Sequence, residues 1–158
     1  MEAKEVETRV DTQHNWETDY GSYDRDYRKR TAIEVTVRDF SRKSPPATAH
    51  IYFIARALKG GPRFIYAQRD LPINFSGQLA VVARVDAPDL KSSVVNFAAL
   101  GQQYVAGAEM DGWAVVGEVG GKTFQTKASR QPLLDTLLRP GPESMETMLA
   151  AYLNATKP

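Results

Sequence analysis

Residues 31 to 40 read TAIEVTVRDF, in which Ile33, Val35 and Val37 alternate with Glu34, Thr36 and Arg38. A period of two belongs to a strand with one buried face, because successive side chains leave a pleated backbone on opposite sides. The same pattern governs most of the chain. After the breaker KSPP comes ATAHIYFIARAL, where both side-chain sets are largely apolar: Ala49, Ile51, Phe53 and Ala55 on one side, His50, Tyr52 and Ile54 on the other. A strand apolar on both faces belongs in the middle of a sheet with cover on each side. RFIYAQRDL follows the turn KGGP, GQLAVVARVDA ends at Pro88, and GWAVVGEV begins after an Asp-Gly turn. Gly120-Gly121 then leads into KTFQTKAS, a hairpin signal because both glycines accept the positive φ of a tight primed turn. KEVETRVDTQHNW at the N-terminus alternates more weakly. In LKSSVVNFAALGQQYVAGAEMDG, Ser92 and Gly101 could bracket a helix, but β-branched Val94 and Val95 weaken it, so the segment reads as mostly irregular.

The C-terminus changes period. Ser129 as cap, Pro132 in a first turn and Leu133, Leu134, Leu137 and Leu138 as a stripe predict one short helix. Pro142 at a first helical position, Glu143 and Glu146 near the positive helix end, and Met145, Met148, Leu149 and Tyr152 at helical spacing predict a second. The expected fold is therefore mainly β, an immunoglobulin-like β-sandwich of about seven strands closed by one or two C-terminal helices. Residues 1–130 form the β domain, and 131–158 are a helical extension of it.

A chain of 158 residues is one domain on size and can bury roughly 70% of its extended surface. Its 20 Lys and Arg against 19 Asp and Glu leave a net charge of +1, so no global field draws it to nucleic acid or anionic lipid. It has no cysteine, which excludes disulfides, thiolate metal sites and a cysteine nucleophile. The two histidines, His14 and His50, lack ligand spacing, and the acidic residues near position 20 miss the calcium-loop pattern, so no metal and no cofactor is expected. His50 reads as a satisfied sheet residue. VGEVGGKT resembles the end of a phosphate loop, but Val116 stands where the first glycine belongs and a strand follows where a helix should. No serine sits in a nucleophile elbow, and the acid pair Glu109 and Asp111 is of a kind any such chain offers, so a non-enzymatic protein is expected. No apolar run approaches the ~18 residues a membrane span needs. MEAKEVETRVD is charged from its second residue and is no signal peptide.

Two sets of residues are candidates for contact. DYGSYDRDYRKR interleaves tyrosines with aspartates and cations, and Tyr20, Tyr23, Asp24, Arg25 and Tyr27 are its binding candidates, since Tyr and Arg favour interfaces. The alternative structural account makes Gly21-Ser22 a turn, with the rings packed on the sheet and the charges paired in water. The stripe Met145, Met148, Leu149 and Tyr152 is either a homo-oligomer interface or a helix face folded back on its own sheet.

The order of motifs carries a resemblance: Trp16 before YGSYDR, then IYFIA, LGQQYVAG, DGWAVV, GKTFQTKAS and a leucine-rich helix. Over roughly Trp16 to Leu138 it resembles the small secreted immunoglobulin-like proteins of Verrucomicrobia such as Akkermansia, some encoded beside type IV pilus genes. The resemblance implies a β-sandwich exported past the inner membrane, with its signal peptide removed, associated with the cell envelope or pilus through protein partners. It brings no catalytic residues. MEAKEVETRV lacks the long apolar helix that anchors a pilin, so the implied role is that of an accessory protein, unless that helix was removed. The rival expectation is a carbohydrate-binding module whose exposed rings, among Tyr20, Tyr23, Tyr27 and Trp113, stack on a glycan.

Overall fold

The computed structural model describes residues 1–17, 22–39, 45–97 and 102–157. Among these described residues eight antiparallel strands and two short helices follow in chain order: β1 (Glu2–Glu17), β2 (Ser22–Arg38), β3 (Ala47–Ala57), β4 (Arg63–Ile73), β5 (Ala80–Asp86), β6 (Leu90–Phe97), β7 (Gln102–Val119), β8 (Lys122–Ala128), α1 (Gln131–Leu138) and α2 (Met145–Ala155). The fold is mainly β with two C-terminal helices, as the alternation predicts. Hydrogen bonding runs β1-β2-β6-β7-β3-β4, with β5 also on β2 and β8 also on β7.

Two long strands divide this sheet into branches. The first part of β2 pairs with β6 and its second part with β5. The first part of β7 pairs with β6, and from Ala108 onward β7 pairs with β3. The change of partner occurs at Gly107, whose φ of +91° is a conformation L side chains rarely adopt. A Cβ there would also lie 2.6 Å from the Lys91 carbonyl oxygen.

The main core joins β2 to strands with which it shares no hydrogen bonds. Ile33, Val35 and Val37 of β2 pack with Ala49, Ile51 and Phe53 of β3, Ala67 and Ile73 of β4, and Trp113 and Val115 of β7. The opposite face of β3 presents Tyr52 and Ile54, which join Ile65, Ala114, Leu133, Leu137 and Met148 in a second cluster under the helices. Both faces of β3 are therefore buried, the condition that an apolar pattern on both sides anticipates.

Four local readings are corrected. The segment expected to be irregular forms β6 and most of β7, and β-branched Val94 and Val95 suit that strand as they would not suit a helix. Asp111 and Gly112 are not a turn but lie inside β7, at a register shift between Ile54 and Ala55 of the partner strand. Ser129 does not cap α1. Its N–H donates to the Trp113 carbonyl at 3.0 Å, prolonging the β7–β8 ladder, and Arg130 takes the cap position. Pro142 precedes α2 instead of opening it, because Ser144 is the cap and its hydroxyl accepts from the Thr147 N–H at 3.2 Å.

The hairpin prediction for Gly120-Gly121 is met by φ values of +56° and +77° between Val119 and Lys122. The leucine stripe splits: Leu133 and Leu137 are buried, whereas Leu138 is 64% exposed. Met145, Leu149 and Tyr152 pack against the second cluster and Met148 lies within it, so this helix face folds back on its own sheet. Truncation after Pro140 should accordingly uncover Tyr52, Ile54 and Ile65. It is expected to lower the melting temperature by about 5 °C or more and to raise binding of an apolar dye. A truncated chain that melts with the parent would show that α2 adds nothing to the protomer.

Candidate functional site

The densest group of charges lies where the helices meet the sheet. Arg63 opens β4, Asp111 sits at the irregularity of β7, Arg130 precedes α1 and Glu143 precedes α2. The Arg63 guanidinium donates through Nε to Asp111 and through Nη1 to Glu143 Oε2 at 2.5 Å, and the Arg63 N–H reaches Glu143 Oε1 at 2.9 Å. Arg130 Nη2 binds the second Asp111 oxygen at 2.8 Å, and Arg56 stands 3.7 Å from Glu143. A planar fork that donates along two directions suits this double engagement. Just beyond Asp111, a Cβ at Gly112 would come within 2.7 Å of Leu133 Cδ2, so glycine permits α1 to seat closely on β7.

Burial pushes the Asp111 carboxyl up, but hydrogen bonds from Arg63 and Arg130 outweigh it and hold the group below its ordinary value. Glu143 is held down first by the Arg63 N–H and then by the guanidinium. Folding therefore favours the ionised form of both. The stability they contribute is complete above the ordinary carboxylate range near ~4 and is lost as pH falls through their depressed folded values. Acid titration of the melting temperature should show a loss below about pH 4 that shrinks in Glu143→Gln. An unchanged acid limb in that variant would remove Glu143 from the explanation.

On the sheet face beyond the helices, His50 Nδ1 lies 2.8 Å from Asp70 Oδ1 and its Nε2 lies 3.6 Å from Glu118 Oε2. His50 is thus a satisfied sheet residue bridging three strands, as its sequence context suggests. Asp70 is held below its ordinary value first by a hydrogen bond from Gln68 and then by His50. Among the described residues, no group of three His, Asp or Glu side chains is arranged to hold a metal ion.

The sequence candidates near the N-terminus fall in a different place. Tyr20 lies outside the described residues. Tyr23, Asp24, Arg25 and Tyr27 belong to β2, so this part of the tyrosine-rich stretch is strand and not loop. Tyr23 pairs with Trp16 and Asn96, Asp24 with Asn15 and Val95, Arg25 with His14 and Val94, and Tyr27 with Thr12 and Ser92. They form a central strand of the β1-β2-β6-β7 end of the sheet, to which β3, β4, β5 and β8 contribute no pairing. At its base is a cavity of about 240 Å³ lined by Lys29, Leu58, Leu90, Ser92, Val94, Ala108 and Glu109, apolar except for one cation, one acid and a hydroxyl.

Trp113, one of the four rings considered for sugar stacking, is 4% exposed and belongs to the main core. It is unavailable to a glycan. The Arg63–Asp111–Glu143 cluster escaped the sequence reading because its members are 32 to 80 positions apart. A weak signal existed in Glu143, an acid placed before a helix and read only as a favourable end charge. No family model matches the chain, and no match was found among the curated proteins or the solved structures.

Proposed function

We propose that this chain is a non-enzymatic interaction or structural protein of the cell envelope, secreted and associated with type IV pili, whose sheet forms an immunoglobulin-like sandwich. The observation that carries the reading is the β1-β2-β6-β7 end of the sheet. There Tyr23, Asp24, Arg25 and Tyr27 sit on a central strand, while among the described residues β1 and the first part of β7 border no further strand. Strand edges of this kind recruit partner strands, and Tyr and Arg are residues that interfaces favour. The sandwich description is supported by a main core shared between β2 and β3, which are not hydrogen-bonded to each other. The non-enzymatic description is supported by Asp111, one of the two carboxylates considered for acid–base work, which is held by two guanidiniums. Among the described residues no helix is long and apolar enough to cross a membrane, and in this reading protein partners supply the attachment.

The test is fractionation of the native cell with an antibody to the chain, combined with a photo-crosslinking residue at position 23 or 27. Recovery with outer-membrane material or sheared surface appendages, with a discrete protein adduct, is expected. Recovery in the cytosol without an adduct refutes the assignment. A glycan array run alongside separates the carbohydrate reading: saturable binding lost in Tyr23→Ala or Tyr27→Ala would favour a lectin-like module.

A further inference from the structure

We propose that β5 is a homodimerisation edge, at which two copies of this chain pair antiparallel about a two-fold axis through Ala83 and join their sheets into one. Among the described residues strand β5 is bonded on one side alone, to β2, in an unbroken register from Ala32 opposite Asp86 to Arg38 opposite Ala80. The bonds flanking it fix the direction of its backbone groups. The Ala87 N–H donates to the Thr31 carbonyl at 2.8 Å, and the Leu79 carbonyl accepts from the Asp39 N–H at 3.0 Å. Odd positions therefore turn inward to β2, and by the alternation of an antiparallel ladder Ala80, Val82, Arg84 and Asp86 turn their N–H and C=O outward. A two-fold axis through Ala83 sets Ala80 against Asp86 of the second copy and Val82 against Arg84. Outward groups then meet outward groups along the whole strand.

Strands β4, β8 and β1 each carry an irregularity that β5 lacks. Strand β4 contains Pro72, a register shift opposite Phe53 and Ile54, and the packed helix α2. Strand β8 has a register shift of its own and is met by the Met1 amine, which donates to the Gln125 side chain. Strand β1 shifts register between Glu5 and Glu7. Strand β5 has no proline, glycine or bulge. An edge this regular can accept a partner strand, and the charges it carries, Arg84 and Asp86, are of opposite sign. The partner that fits is a second copy. Arg84 and Asp86 neutralise each other within the strand, with Nε and Oδ1 3.3 Å apart, so the strand carries no net charge to repel itself. Val82, 58% exposed, would gain the aliphatic stem of the facing Arg84 as cover.

This dimer does not rest on the envelope reading and stands or falls without it. Light scattering on the full chain should show the mass doubling within a range of about 1 to 500 µM, as a small strand–strand interface allows. Val82→Pro removes an outward N–H and leaves the ladder to β2 intact, so it should remain folded while its dimer dissociation constant rises at least about tenfold. Val82→Lys places a charge at the same point without touching the backbone and should act alike if the proline variant proves unstable. Because the chain has no cysteine of its own, Ala83→Cys should give a disulfide-linked dimer on mild oxidation, and Val82→Pro should suppress it. A chain monomeric throughout that range overturns the proposal. So does a dimer that persists unchanged in both Val82 variants, or one that Ala83→Cys fails to link.

Discussion

Trp113→Ala is expected to destabilise the protein by about 3 to 5 kcal/mol, the range for emptying an aromatic site in a packed core. The indole is 4% exposed and packs among Phe53, Ile51, Val35 and Val115, which are fully buried or nearly so. These neighbours are held by two branches of the sheet and cannot collapse far into the space. The indole N–H meets no acceptor among the described residues. Trp113→Phe should therefore cost well below the alanine variant, because the smaller ring leaves a cavity but also removes a buried donor without a partner. Urea unfolding distinguishes the cases. An alanine variant with the parent's midpoint would mean that the ring does not support the core.

Arg63→Ala should cost about 3 kcal/mol, near the lower end of what breaking an ion pair in the interior costs. The lower end applies because the side chains of Arg63, Asp111 and Glu143 retain 16%, 21% and 20% of their exposure, so water takes up part of the lost interaction. The loss is more than one pair, since a single guanidinium links the start of β4 to the irregularity of β7 and to the residue before the α2 cap. Arg63→Lys should recover only part of the stability. A single ammonium cannot reproduce a planar fork directed at two carboxylates. The helices should loosen before the sheet, giving early loss of amide protection in α1 and α2. Uniform exchange across the chain in Arg63→Ala would argue against a fastening role.

The positions that sequence and structure read alike are those decided by nearest neighbours. Alternation at Ile33, Val35 and Val37 needs only the period of a pleated strand to bury that face. Gly120 and Gly121 need only the positive φ of a tight turn. The two C-terminal helices follow from a period near 3.6 in the same way. Where the readings part, a distant partner intervened. Ser129 is a good cap by type, yet its N–H is used by Trp113, and β-branched residues near position 94 became strand because β2 and β7 flank them.

The sequence by itself determined the class of fold, the apolar character of both faces of β3 and the end-to-end charge balance, because each depends on side-chain type and spacing along one strand or helix. Only the tertiary structure decided which strands are neighbours, that α2 packs on β4 and joins the cluster of Tyr52 and Ile54, and that Arg63, Asp111 and Glu143 form one cluster. It also placed Tyr23 to Tyr27 on a strand and, among the described residues, left β5 paired with β2 alone. These are contacts between segments far apart in the chain, and a local pattern carries no information about which distant backbone will supply the missing hydrogen bonds or apolar cover.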